Sequence, residues 1–144
     1  MKKAMDKVPA CDEQQVDFGH RVGLELRGET LGVAVARIED VIDRDFWGRD
    51  LGMPSPKQVA LATKFGFDIG SSSRRVGAAV IDNILTQLNL ESVESQHLGP
   101  GDIVSHVGHP ERGEMAISSI QKDGLVFFKG GNGQRAWARN LRKA

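Results

Sequence analysis

The stretch QVALATKFGFDI, Gln58 to Ile69, decides how this chain is read, because QVDFGHRVGLEL, Gln15 to Leu26, says nearly the same thing 43 residues earlier. Laid over each other without a gap, the two place Gln15 on Gln58, Val16 on Val59, Phe18 on Leu61, Arg21 on Lys64 and Gly23 on Gly66. The match continues with Thr30 on Ser73, Ala34 on Gly77, Ile38 on Ile81 and Val41-Ile42 on Ile84-Leu85. Chance seldom aligns glycine, cap and apolar positions together over about thirty residues, so the pattern reads as an internal repeat.

Each matched position has a physical job. Ser55 suits an N-cap and Pro56 a first helical position, and Gln58 can reach back to the cap amide to complete a capping box. Asp12 and Gln15 have the same spacing. Gly66 and Gly23 stand where a helix ends in the left-handed conformation. FDI and LEL follow as short extended links, which Phe67 and Ile69, or Leu24 and Leu26, pin to the core. Ser73 and Thr30 then cap a second helix. Its apolar positions recur at helical spacing: Val76, Val80, Ile81, Ile84 and Leu85, or Val33, Ala34, Ile38, Val41 and Ile42. The small residue at 34 and 77 is expected to let the helices approach closely. One unit buries too little to stand alone, whereas two can pack on each other.

The pattern Ser55-Pro56-Lys57-Gln58, then Phe65-Gly66-Phe67-Asp68-Ile69, then Ser73 with Gly77 and Ile81, resembles SAP-like helix–extension–helix modules. The resemblance covers residues 12–45 and 55–89. It implies a small appendage of the kind found on nucleic-acid enzymes and chromatin proteins. The first copy departs from it, since RGET (Arg27 to Thr30) is acidic and lacks the arginine pair that follows Ser73. Between the copies lies DRDFWGRDLGMPSP, starting at Asp43. Phe46 and Trp47 are expected to anchor this linker in the groove between the copies. The competing reading makes them an exposed aromatic contact for a partner protein.

After SQHLGPGD (Ser95 to Asp102) the period changes from helix to strand. DIVSHVG alternates apolar and polar residues, HPERGE reads as a loop, MAISSIQ as a second strand and KDG as a tight hairpin turn. LVFFK is a third strand, GGNG (Gly130 to Gly133) another turn, RAWAR a fourth strand, and NLRKA closes the chain with Leu141 as a plug. Four or five short strands in so short a segment predict a small barrel. Gly101-Asp102-x-Val104, His109-Pro110 with Gly113, Ile120 followed by Asp123-Gly124, and Gly130-Gly131 make residues 99–144 similar to SH3-like barrels of the KOW and Tudor kind. Members of that family bind nucleic acid, peptides or a neighbouring domain, and fold alone does not choose among these.

Composition narrows the classes. The chain of 144 residues is 40% apolar and 26% charged with formal net charge zero, so no global field favours nucleic acid or acidic lipid. The charge is unevenly placed: residues 12–53 carry −5 and residues 99–144 carry +3. The single cysteine, Cys11, excludes an internal disulfide and a four-cysteine zinc site. No apolar run reaches membrane-span length, and the basic start MKKAMDKVPA lacks a signal-peptide core. A cytoplasmic, bacterial-type protein is the simplest expectation.

The chemistry-bearing residues form no catalytic set. His106 and His109 are two imidazoles on a turn without a second ligand cluster, so no metal is expected. Cys11 lies in a segment expected to be flexible, no serine stands in an elbow motif, and GGNG lacks the Lys-Ser/Thr of a phosphate loop. Glu39 and Asp40 read as part of a solvated helix face. Anion binding has more support. SSSRR (Ser71 to Arg75) puts hydroxyls with Arg74 and Arg75 at a helix N-terminus, where a phosphate can sit; the alternative is a plain cap with two solvated arginines. In the barrel, Arg112, Lys129, Arg135, Arg139 and Arg142 surround Phe127, Phe128 and Trp137. Alternation sends Phe127 and Phe128 to opposite faces, one into the core and the other against the helices or toward a partner.

The expected fold class is α+β. A flexible start (1–11) precedes a helix–extension–helix repeat with its linker (12–53), a second repeat (54–98) and a small SH3-like β-barrel (99–144). The expected function is non-enzymatic, accessory nucleic-acid binding without cofactor or membrane contact. It uses Arg74, Arg75, Arg112, Lys129, Arg135, Trp137 and Arg139. The alternative is a protein–protein adaptor that contacts its partner through Phe46 and Trp47.

Overall fold

The fold is α+β. The computed structural model describes residues 2–130 and 133–144. Four helices, α1 (Glu13–Arg21), α2 (Leu31–Trp47), α3 (Pro56–Lys64) and α4 (Arg74–Gln96), precede five strands. These are β1 (Ile103–His106), β2 (Glu114–Ile120), β3 (Leu125–Phe128), β4 (Arg135–Trp137) and β5 (Leu141–Lys143). Single 3₁₀ turns cover Pro110–Arg112 and Ala138–Asn140. The turn expected over Gly130 to Gly133 includes Gly131 and Asn132, which lie outside the described residues.

Local chemistry sets the helix ends. Asp12 with Gln15, and Ser55 with Gln58, form complete capping boxes at the starts of α1 and α3. Gly23 and Gly66, just past the ends of those helices, have φ of 85° and 86°, the left-handed region that glycine reaches without a Cβ clash. The links that follow bury Leu26 and Ile69 completely or nearly so. Thr30 accepts the Val33 amide at the start of α2, and Ser73 accepts the Val76 amide at the start of α4. Helix α2 runs through Phe46 and Trp47, so the segment between the helix pairs starts only at Gly48.

The chain divides into two compact units, residues 1–85 and 86–144. The first is built on Val16, Leu26, Ala34, Val41, Ala62, Ile69 and Ile84. Gly77 is tight as expected, but against other neighbours than a facing helix. A Cβ there would lie 2.6 Å from Pro54 Cγ and 3.3 Å from Ile69 Cδ1. The N-terminal residues make backbone contacts with the helical unit. Lys3 N–H donates to Phe65 O at 2.9 Å, Cys11 N–H to Glu29 O at 3.1 Å, and Leu31 N–H to Pro9 O at 2.9 Å, while Val8 is buried. Those backbone bonds fix a segment whose polar sequence carries no periodicity to announce it.

The second unit is an antiparallel sheet in the order β4–β3–β2–β1–β5, with β4 and β5 as its edges. Its core is Leu98, Val104, Ile117, Val126, Phe128, Ala136, Ala138 and Leu141. A register shift between Ile117 and Ser119 marks a bulge in β2. The last turns of α4 belong to this unit, so the division falls inside that helix and not at the Gly99–Gly101 break. Asn89 Nδ2 donates to Asp123 O at 3.2 Å, and Ser92 Oγ donates to Ala138 O at 2.9 Å. Gln96 donates to Leu141 O at 3.0 Å and accepts the Lys143 amide at 2.8 Å. Its amide thereby stands in for a neighbouring strand along the β5 edge.

Candidate interaction surfaces

The start of α4 is where the sequence places an anion. Ser73 is fully engaged: it caps Val76 and its hydroxyl donates to Asp40. Arg75 reaches back to α2, with Nη2 2.6 Å from Asp43, Nη1 3.4 Å from Asp40 and Nε 3.3 Å from Glu39. The hydrogen bond to Asp43 is the largest cause holding the Arg75 guanidinium above its ordinary range, against a smaller loss from burial. Asp40 and Asp43 keep only 13% and 15% of their side chains exposed, so the acids of α2 are counter-ions and not a solvated face. Glu39, at 51%, is the most exposed of the three. An incoming phosphate would have to displace carboxylates already in place. Arg74 is exposed, with its guanidinium against Gly52. The structure therefore leaves Arg75 as an internal ion-pair partner.

One turn further on, at the C-terminal end of α2, the expected groove anchor is absent. Phe46 is 75% exposed, Trp47 66% and Met53 71%. Arg49 lies over the Trp47 ring at 5.7 Å and donates to Asp43, and both aromatic side chains still stand mostly in water. Leu31, Val35 and Ile42 are also exposed, and with Phe46 they lie at spacings of four and seven residues, one face of the helix. Beside that face runs an open cleft lined by Gly32, Val35, Ala36, Glu39, Ala78 and Asp82.

In the sheet, register brings the basic and aromatic residues together. Phe127 pairs with Arg135 and Leu125 with Trp137, so all four share one face, opposite the buried Val126, Phe128 and Ala136. Phe128 thus takes the core position, while Phe127 is half-buried. Arg139 is half-buried and lies 5.6 Å from the Trp137 ring. Its amide and Nη1 donate to Asn89 Oδ1 at 3.2 and 3.1 Å, and burial lowers its pKa from the usual arginine value. Arg112, Lys129 and Arg135 are exposed. The helical turns in this unit carry Glu91 and Glu94, so residues 86–144 sum to only +1.

The two histidines meet, with ring centroids 4.8 Å apart, and His109 Nδ1 lies 3.0 Å from Glu111. Desolvation, then the neighbouring His109 and Arg112, lower the His106 pKa. Among the described residues no group of three or more His, Cys, Asp and Glu side chains is arranged to hold a metal. Cys11 is tied to Leu26 O through its thiol at 3.1 Å. No helix among the described residues is long and apolar enough to cross a membrane.

Sequence reasoning missed Asp40 and Asp43 as partners of Arg75, and Asn89 and Gln96 as the ties between helix and sheet. The i, i+3 spacing of Asp40 and Asp43 is a legible signal for the first pair. Polar residues on the sheet-facing side of α4 carry no signal until the sheet is there. No family model, curated protein or solved structure matches the chain.

Proposed function

We infer that the protein is a non-enzymatic adaptor that docks a partner protein through the C-terminal end of α2. The observation that carries this reading is the exposure of Phe46, Trp47 and Met53 in one short stretch, 75%, 66% and 71%. Leaving such side chains in water costs about 1.5–3 kcal/mol each relative to burial, and clustered exposure of this kind marks interaction sites. Aromatic residues also dominate the energetics of protein interfaces. A cytoplasmic setting belongs to the same reading and suits a chain with one thiol and no second cysteine.

The architecture of the adaptor is two copies of one helix–extension–helix module, similar to SAP-like modules, followed by a small SH3-like barrel of the KOW and Tudor kind. The repeat is supported by helix starts, capping boxes and left-handed glycines that all recur 43 residues apart. The barrel reading is supported by the strand order β4–β3–β2–β1–β5 and by the β2 bulge.

A second reading, accessory nucleic-acid binding by the sheet, is favoured by one observation: Phe127, Arg135, Leu125 and Trp137 share a face. Lys129 and Arg112 would add phosphate contacts there, and Arg139 would stiffen Trp137. Arg74 remains a candidate, whereas Arg75 is already spent on acids. Two measurements separate the readings. Affinity purification from the source cells, with nuclease added, should recover a protein that Phe46→Ala/Trp47→Ala loses. Fluorescence anisotropy against single- and double-stranded DNA and RNA should show no binding that steepens with falling salt. A steep salt slope, flattened by Arg135→Ala and Lys129→Ala, together with an unchanged set of recovered proteins, would hand the function to the sheet.

A further inference from the structure

We propose that the occupant of the α2 face is an amphipathic helix of a partner protein, apolar along one stripe and flanked by lysines or arginines. This rests on the adaptor reading and adds the partner's chemistry. Phe46 and Trp47 are only one end of the surface. Leu31, Val35, Ile42 and Phe46 continue it along α2, a span of about 22 Å at 1.5 Å per residue, enough for four turns of a second helix. Beside the stripe, Gly32, Ala36, Ala78 and Ala79 make a floor of small residues, which lets a helix backbone come close.

Charge chooses among possible occupants. The rim of the cleft carries Glu39 and Asp82. Asp82 is exposed and makes no ion pair among the described residues, and the one cation lining the cleft, Arg75, already faces three acids. On the other flank of the stripe Asp45 is exposed but already paired with Arg44 at 2.9 Å, so the acidic rim is the Glu39–Asp82 side, within a segment, residues 12–53, that sums to −5. A second copy of this chain would bring the same acids against themselves, and a nucleic acid would bring phosphates. A basic amphipathic helix satisfies both the apolar stripe and the acidic rim.

The test uses the full chain and two stapled probes long enough to span the stripe, a leucine–lysine amphipathic helix and its leucine–glutamate twin, read by probe anisotropy. The lysine probe should bind at least about tenfold more tightly than its twin. Val35→Glu, remote from Phe46, should weaken it by about tenfold with an unchanged melting temperature. Glu39→Lys/Asp82→Lys should reverse the preference toward the glutamate twin, a gain that misfolding does not mimic. Equal binding of the two probes, or a silent Val35→Glu, overturns the proposal. So does sedimentation that shows wild-type dimers dissolved by Val35→Glu. If neither probe binds while a photo-cross-linker at position 47 still captures a cellular protein, the occupant is wrong and the adaptor reading stands. If neither probe binds and nothing is captured, both fall.

Discussion

Helix α2 starts after Thr30 and α4 starts after Ser73, 43 residues later, yet they end in different company. Helix α2 stops at Trp47, and Gly48 closes it at φ 59° with Phe46 and Trp47 in water. Helix α4 runs on to Gln96, and its last turns are absorbed into the sheet. Adding 43 to Phe46 gives Asn89, which is 1% exposed and holds both Asp123 O and Arg139. The same place on two similar helices is an uncovered aromatic in one and a buried polar clamp in the other. In α4 the strands cover that position, and in α2 no described residue buries it.

The comparison breaks most visibly at Gly124. A Cβ there would lie 2.4 Å from Asn89 Cβ, at φ 86°. Gly124→Val should therefore lose about 3 kcal/mol or more in urea unfolding, from overpacking and left-handed strain together. A wild-type midpoint would mean that α4 does not press on the hairpin. Asn89→Ala comes next, at about 2 kcal/mol, because it strands the Asp123 carbonyl and the Arg139 donors. A thermal melt unchanged by that substitution would remove the clamp.

Gly66→Val and Gly23→Val should each cost about 1 kcal/mol or more, by similar amounts, since a β-branched residue resists positive φ. Unequal losses would show that the two helix pairs are less alike than their caps.

Acid should tell the units apart more gently. The His106 pKa lies below its ordinary 6.5, so the unfolded chain takes up that proton more readily than the fold. Stability is full above 6.5 and erodes as the pH falls through that ordinary value, and His106→Gln should blunt the erosion in a pH series of thermal melts. Smallest of all, Phe46→Ala and Trp47→Ala should shift stability by no more than about 0.5 kcal/mol, the signature of residues that serve something other than the fold. A larger loss by calorimetry would return them to the core and end the contrast with Asn89.

How much of this was legible varied with the range of the interaction. Caps, left-handed glycines and strand alternation depend on neighbours within a few residues, and Ser55, Gly66 and LVFFK carry those signals openly. Arg75 reads as a free cation beside Ser73 because its acids lie 32 to 36 residues away in sequence. Phe46 and Trp47 read as buried because aromatic residues within helical pairs usually are, and no local pattern says that no described residue will cover them.

By itself the sequence determined the helical first part, the switch to strands after Gly99, the helix caps and turns, and the absence of a disulfide. All of these follow from backbone preferences and periodicity, which act locally. Only the tertiary structure decided that Arg75 is neutralised, that Phe128 and not Phe127 fills the sheet's core, that the last turns of α4 belong with the strands, and that the end of α2 is left open. Those outcomes depend on which distant groups arrive at the same place, and burial and ion pairing are settled there rather than along the chain.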